Sequence, residues 1–334
     1  MALQACHHRG VFTLRFDLRR AERSPATMGE LYAASLDMTE WAERNGALGV
    51  IVSQHHGSAD GYLPSPIVMA SAMTARTTSM PITVAALLLL MYDPVKLAED
   101  IAVLHHLSQG RVTYVIGLGY RPDEFAMFGI DPSRRGAEME ERLDVLLRAL
   151  AGERFEWRGR PVAVTPTIDA PGPFLAYGGG SVAAARRAGR FGLSFFPEGD
   201  DPALEPAYRA ECQRVGTTPG MVMAGTGGTP TSLHVAADVD AAWDELGPYL
   251  LHDAVTYAEW LGPDSIAASY SGATTVDALR EENGAYRIVD PDGAVALCRS
   301  GRPLLLQPLC GGLPPESAWR SLRLIESEVL PALS

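Results

Sequence analysis

Apolar residues in the first half of the chain fall into two alternating patterns, short continuous runs and positions at helical spacing. Residues 11–16 and 48–52 are runs that predict strands. Between them, Leu31, Ala34, Met38, Trp41, Ala42 and Asn45 recur at the period of a helix, and Gly46 stands where a helix C-cap belongs. Residues 82–88 are apolar on both faces, as expected of a strand buried between a barrel interior and covering helices. Asp93-Pro94 then supplies an N-cap and a first-turn proline for a helix that carries Leu97, Ile101 and Leu104 on one face. A fourth strand is predicted over 111–116. The helix after it places Met139, Leu143, Leu146, Leu147 and Leu150 on one stripe and ends at Gly152. Strand and helix alternating in this way is the pattern of repeated βα units and a parallel sheet.

The second half is less regular. Residues 152–173 are rich in Pro, Gly and Arg and predict an excursion from the repeat. Strands are expected at 174–177 and 193–196, with a helix at 182–190 between them. Further strands are expected at 221–224 or 232–235 and at 304–307, and a closing helix at 316–329. About eight strand candidates, with no linker and no sequence repeat, fit one closed (β/α)₈ TIM barrel spanning 1–334. Residues 262–284, with Gly, Ser, Thr and Asp and little periodicity, are expected to form a mobile insertion in the second half.

Charge narrows the function. With 28 Lys+Arg against 40 Asp+Glu the formal net charge is -12, which repels nucleic acid and anionic membrane surfaces. The start of the chain lacks the apolar core of a secretory signal. The longest apolar run, 84–91, is far short of the roughly 20 residues of a membrane helix, so a cytoplasmic protein is expected. Cys6, Cys212, Cys298 and Cys310 are scattered without metal-type spacing, which argues against a disulfide framework or a zinc site and for a reducing compartment.

The densest chemistry follows the second strand, where Gln54, His55 and His56 open a loop that runs through Gly57, Asp60, Tyr62 and Leu63. Catalytic groups of a (β/α)₈ barrel sit on such loops, and a histidine there can act as a base near neutral pH. The alternative for each histidine is a structural hydrogen bond. His7-His8 near the terminus and His105-His106 on a helix fit that alternative better.

A second candidate is Tyr177-Gly178-Gly179-Gly180-Ser181, which leaves a strand and opens a helix, a place where free N–H groups favour a phosphate. It formally satisfies a dinucleotide fingerprint with Glu198 or Asp200 as ribose acid, yet four βα units precede it. A Rossmann fingerprint belongs at the first. A third is Gly117-Leu118-Gly119-Tyr120, where missing Cβ atoms would let a planar ligand lie on the backbone; Arg134-Arg135 would neutralise a phosphate or face water.

Taken in order, HH-x₄-GYLPSP, ASAMTART, VAALLL, DPVKLAEDIAVL, LSQGR and GLGYRPDEFAMFGID resemble the bacterial luciferase-like monooxygenases, densely over 31–150 and thinly beyond. The resemblance implies a barrel, commonly dimeric, that binds FMN or the deazaflavin F420 at the carboxyl ends of the strands. It places His55 on the family's active-site histidine, with His56 beside it. It puts Ala85-Ala86 where the family often carries a non-prolyl cis peptide under the flavin ring, and Gly179, Gly180 and Ser181, with Arg135, at the phosphate. Two departures stand out. Gln54 occupies a position that often carries Glu, and Leu118 one where luciferase carries a phosphate-binding Arg.

The function expected is therefore a monooxygenase that uses O₂ and reduced FMN from a separate flavin reductase to oxygenate a small hydrophobic molecule, with a homodimer as its assembly. Tyr62, Leu87 and Leu89 are expected at the substrate, beside Leu63 and the rest of the apolar run to Met91. The alternatives are an F420-dependent oxidoreductase in which His55 assists hydride transfer, or a partner subunit without flavin chemistry.

Overall fold

The computed structural model describes residues 10–333 apart from 170, 171, 224–228, 264 and 266. Cys6, His7-His8 and Ala224 lie outside the described residues.

The first half follows the expected rhythm. In chain order it runs β1 (Phe12–Phe16), α1 (Met28–Arg44), β2 (Gly49–Val52), α2 (Pro66–Arg76), β3 (Ile82–Leu88), α3 (Pro94–Ser108), β4 (Val112–Gly117), α4 (Pro122–Met127) and α5 (Arg135–Leu150). Local signals set the boundaries. Thr27 and Glu30 form a reciprocal capping box at the start of α1, and the Asp93 side chain accepts from the backbone N–H groups of Val95 and Lys96 at the start of α3. Gly46 and Gly152 adopt positive φ just past α1 and α5, the conformation that ends a helix without strain for glycine alone.

The second half runs β5 (Phe155–Trp157), β6 (Arg160–Val162), β7 (Leu175–Gly179), α6 (Val182–Arg190), β8 (Ser194–Pro197), α7 (Leu204–Val215), β9 (Ser232–Val235), α8 (Val239–Leu261), α9 (Val276–Glu282), β10 (Tyr286–Val289), α10 (Pro291–Arg299), β11 (Leu304–Leu306) and α11 (Pro315–Leu324). The excursion contains an antiparallel hairpin of β5 and β6. Of the two alternatives for the next strand, residues 232–235 form β9, while Val222 makes only an isolated parallel bridge to Phe195. The closing helix continues from α11 through a π turn at Ile325–Val329.

Nine strands form one all-parallel sheet in the order β10-β9-β11-β1-β2-β3-β4-β7-β8. The order climbs along the chain from β1 to β8 and returns the last strand, β11, to the side of β1. First and last strands side by side in an all-parallel sheet are the arrangement of a (β/α)₈ barrel. The strand count departs from eight because β10 adds a strand beside β9, from a four-residue run (YRIV) too short to show a period.

The 23-residue α8 was invisible to the sequence pattern for a physical reason. Gly247-Pro248 sits inside it, a pair that ordinarily ends a helix. Tertiary packing overrides that signal: Leu246, Leu250, Ala254 and Tyr257 are buried on one stripe, and a Cβ on Gly247 would lie 2.5 Å from Val276 at the start of α9. Within 262–284, residues 276–282 are helical as α9, capped by Thr275. No described helix is long and apolar enough to cross a membrane.

Candidate active site

Three candidate segments leave the carboxyl ends of sheet strands: Gln54, His55 and His56 follow β2, Gly117 to Glu124 follow β4 into α4, and Gly179 to Ser181 follow β7 into α6, while Ala85-Ala86 lie within β3. The loop after β2 is held in place by backbone hydrogen bonds, from His55 N to Leu63 O (3.2 Å) and from Leu63 N to Asp17 O (2.9 Å).

His55 is buried, and its Nδ1 lies 2.9 Å from Oε1 of Glu124. An ionised carboxylate only accepts, so Nδ1 carries the proton and Nε2 is the basic nitrogen. Nε2 faces the Tyr120 hydroxyl at 3.2 Å. Burial pulls the His55 pKa below its usual value, opposed by the hydrogen bond and charge of Glu124, which leaves the ring neutral near pH 7. The same Glu124 oxygen accepts from the backbone N–H of His56 (2.7 Å), and Arg121 donates to the His56 carbonyl (2.8 Å) and pairs with Glu124 at 3.4 Å. Burial alone would raise the Glu124 pKa, but these donors hold it below the usual carboxylate range.

His56 turns away from this dyad. Leu88 N donates to Gln54 Oε1 (3.0 Å), which fixes the amide so that its nitrogen faces His56 Nε2 at 2.6 Å. An amide N–H needs a lone pair opposite, so His56 is neutral too, and burial lowers its pKa. Gln54 thus ties the histidine loop to the end of β3 by accepting from Leu88 N, which a carboxylate could also do, and holds His56 by donating to it, which a carboxylate could not.

In β3, Ala85 and Ala86 are the partly accessible pair of a strand whose next residues are buried, and the peptide between them is cis. Gly117 lies against them; a Cβ there would stand 2.7 Å from that of Ala86. The three residues make a ledge of small groups. Gly119 adopts φ +80° before Tyr120. Leu87 and Leu89 are fully buried in the main core, where their side chains serve packing.

At the end of β7 the glycines divide by role. A Cβ on Gly178 would stand 2.8 Å from Val115, and one on Gly179 2.8 Å from Ala184, so both are required by packing. Gly180 would meet only the Glu198 side chain at 3.5 Å, and Ser181 caps α6 by accepting from Ala184 N. Gly180 and Ser181 therefore form the open part of the helix start. Burial raises the Glu198 pKa. Arg135 is exposed and donates to the Pro132 carbonyl. Arg187, a buried guanidinium of α6 itself, is held by Tyr177 and Glu140.

A wall of aromatic rings closes over His55. Centroid distances from its imidazole are 4.9 Å to Tyr62, 5.4 Å to Tyr120 and 4.8 Å to Trp260. Tyr62 and Tyr257 share a hydroxyl hydrogen bond (2.7 Å), and Arg15 donates to Tyr257 (2.9 Å). Beneath them the fully buried Arg19 pairs with Asp17 (3.3 Å), Asp60 (3.4 Å) and Asp253 (3.0 Å). Burial and the neighbouring Asp253 push the Asp17 carboxyl well above the usual range.

Tertiary structure thus joins His55 with Tyr62 and Tyr120 from among the expected residues. It adds Glu124, Arg121, Trp260, Tyr257 and Arg19, which the sequence did not single out. Glu124 and Arg121 lie inside the GLGYRPDEF segment, where a carboxylate in the first turn of a helix looks like an ordinary dipole partner. Tyr257 and Trp260 sit three residues apart at the end of the helix that Pro248 disguised.

Residues 12–294 match the luciferase-like monooxygenase family. Among curated relatives, limonene 1,2-monooxygenase of Rhodococcus erythropolis is 31% identical over 169 residues, 45% of this chain and 44% of that protein. The chain thus spans less than half the length of such relatives. Among solved structures, monooxygenase RslO1 of Streptomyces bottropensis superposes with a TM-score of 0.72 at 24% identity, covering 98% of this chain and 100% of its own. The oxygenating constituent of 3,6-diketocamphane monooxygenase of Pseudomonas putida, in complex with FMN, gives 0.67 at 18% over 97% and 99%. An F420-dependent secondary alcohol dehydrogenase gives 0.64 at 15% over 98% and 100%. With the barrel topology, the dyad at the strand ends and a family match over most of its length, the chain belongs to the luciferase-like monooxygenases.

Proposed function

We propose that the chain uses reduced FMN and O₂ to oxygenate a small, hydrophobic organic molecule, with His55 as the proton-handling catalytic residue. The observation that carries this is the buried His55–Glu124 pair, which leaves Nε2, facing the Tyr120 hydroxyl, as the basic nitrogen. Reduced flavin, when bound, supplies the electrons that activate O₂. The ledge would carry its ring, and Gly180 and Ser181 at the start of α6 its phosphate.

The side chains have separate tasks. Glu124 holds His55 in the Nδ1–H tautomer, so that Nε2 accepts or returns a proton at the reacting atoms. Tyr120 supplies a hydroxyl to Nε2, and burial raises its pKa, which keeps it a donor. Tyr62, Tyr257 and Trp260 exclude water from the imidazole. A separate reductase delivers the reduced flavin, and two copies of the chain pair through the outer face of α2 and α3. There Val68, Val103 and Leu107 are 70%, 56% and 60% exposed around a cavity of about 320 Å³.

The test is anaerobic titration with reduced FMN and reduced F420, followed by oxygen uptake with candidate hydrophobic substrates. Tighter binding of reduced FMN, with substrate-dependent uptake that His55→Ala cuts at least roughly 100-fold, is expected. Preference for F420 without oxygen uptake would replace monooxygenation with hydride transfer, and binding of neither would leave a partner subunit without flavin chemistry.

A further inference from the structure

Gln54 is buried, and both ends of its amide have partners. Leu88 N donates to Oε1 at 3.0 Å, which rules out the flipped amide, since that would set two donors against each other. The nitrogen end is therefore fixed on His56 Nε2 at 2.6 Å. The Tyr92 phenol is a third neighbour: burial pushes its pKa up to about 12, and a hydrogen bond with the Gln54 side chain opposes the shift. The end of β3, the segment before α3 and the histidine loop thus meet on one side chain.

Only a ring nitrogen without a proton accepts from an amide N–H. His56 Nε2 is then the bare nitrogen and Nδ1 holds the hydrogen, the same tautomer that Glu124 imposes on His55. The two rings differ in what stands on the basic nitrogen. At His55 it is the hydroxyl of Tyr120, and at His56 it is an amide anchored to the backbone of β3. A phenol can pass a proton on; an amide holds its own. The His56 ring also packs edge-on against Phe128, with centroids 4.7 Å apart. Burial is the largest influence against a charged ring there, Glu124 favours the charge, and His55 and Arg121 oppose it.

We propose that Gln54 is a positioning residue that divides the histidine pair: by donating to Nε2 it keeps His56 a neutral, Nδ1-protonated ring that anchors the loop, and leaves His55 as the one member that exchanges protons at the site. This rests on the catalytic role of His55 proposed above, which does not itself say what the second histidine does. A carboxylate of the same shape at position 54 reverses the arrangement. It still accepts from Leu88 N, but it has no hydrogen to give His56, so Nε2 takes a proton, as the other tautomer or as the cation.

The experiment is heteronuclear NMR of the ring nitrogens in the full chain labelled at its 8 histidines, with His56→Gln identifying the His56 signal by its loss. Near neutral pH the unaltered chain should show His56 with a protonated Nδ1 and a bare Nε2, and Gln54→Glu should show a protonated Nε2. If circular dichroism shows that variant unfolded, Gln54→Met replaces it; lacking the donor, it should give a mixture of both tautomers. A proton on His56 Nε2 in the unaltered chain, or a His56 signal that no folded variant changes, overturns the assignment.

Turnover supplies the other half of the test. His56→Gln puts a side-chain oxygen where Nε2 stood, keeping an acceptor that does not ionise. It should retain at least roughly a tenth of the unaltered rate, against the loss of roughly 100-fold expected of His55→Ala. A loss as deep in His56→Gln as in His55→Ala overturns the division of the pair. The expected imidazole signals in a chain that neither binds flavin nor takes up oxygen remove the monooxygenase function and leave the hold of Gln54 on His56 standing. Oxygen uptake with His56 protonated at Nε2 keeps the function and removes the role of Gln54.

Discussion

Glu124 Oε1 stands 2.9 Å from His55 Nδ1 and 2.7 Å from the backbone nitrogen of His56, so a single carboxylate oxygen sets both the tautomer of the catalytic imidazole and the course of its loop. The carboxylate that Gln54 does not provide on one side of the histidine pair arrives from α4 instead, 69 residues along the chain.

Replacing Glu124 by Gln removes the charge that raises the His55 pKa and leaves the burial that lowers it. Turnover should fall roughly 10- to 100-fold. His55 is active when neutral, so activity is lost as pH falls through its pKa; a lower pKa moves that acid limb to lower pH. A pH–rate profile for Glu124→Gln whose acid limb stays put or moves upward would remove Glu124 from this role.

Gly117→Ala should destabilise the fold by about 1–3 kcal/mol, the usual cost of overpacking, because the new methyl would meet the Ala86 Cβ at 2.7 Å. The same intrusion disturbs the ledge, so affinity for reduced flavin should drop more than tenfold. Thermal unfolding and flavin titration check the two effects separately, and an unchanged flavin affinity would mean that the ring lies elsewhere.

Asp17 gives a stability signature. Its carboxyl is raised in the folded state by burial and by Asp253, so the native protein retains a proton that the unfolded chain releases near pH 4. The contribution is fully present below that unfolded value and is lost as pH climbs toward the raised folded one, by up to about 1.4 kcal/mol per pH unit. Between pH 5 and 7 the melting temperature of the unaltered chain should therefore fall relative to that of Asp17→Asn, which cannot release the proton. Parallel melting curves would show that Asp17 is already ionised.

The pairing of two copies is tested at Val68 and Leu107, both exposed on the α2–α3 face. Light scattering should give twice the 35.8 kDa chain mass for the unaltered protein and the single mass for Val68→Lys/Leu107→Glu. A dimer that survives both charges would place the interface on another face.

Much of the barrel was legible because burial imposes a period on the sequence. The strand at 82–88 and the cap at Asp93-Pro94 are local facts, decided by residues within a turn of one another, and they appear in the structure as the pattern predicts. The α8 helix and β10 were not legible. A Gly-Pro pair breaks the helical pattern unless neighbours compensate, and a four-residue strand acquires its identity only from the strand beside it.

The sequence by itself determined the repeat of βα units, the acidic surface, and the placing of His55 on a loop at the end of a strand, since each depends on composition or on residues near one another in the chain. Only the tertiary structure decided what His55 faces. Glu124, Tyr120 and Trp260 reach it from the ends of other elements, brought there by the closure of the sheet and the docking of α8. Closure also shows why Gly178 and Gly179 are glycine, through contacts with Val115 and Ala184 that no local pattern encodes. A local pattern can mark which residues are buried, but the direction of a buried side chain and the partner it meets depend on how distant segments pack.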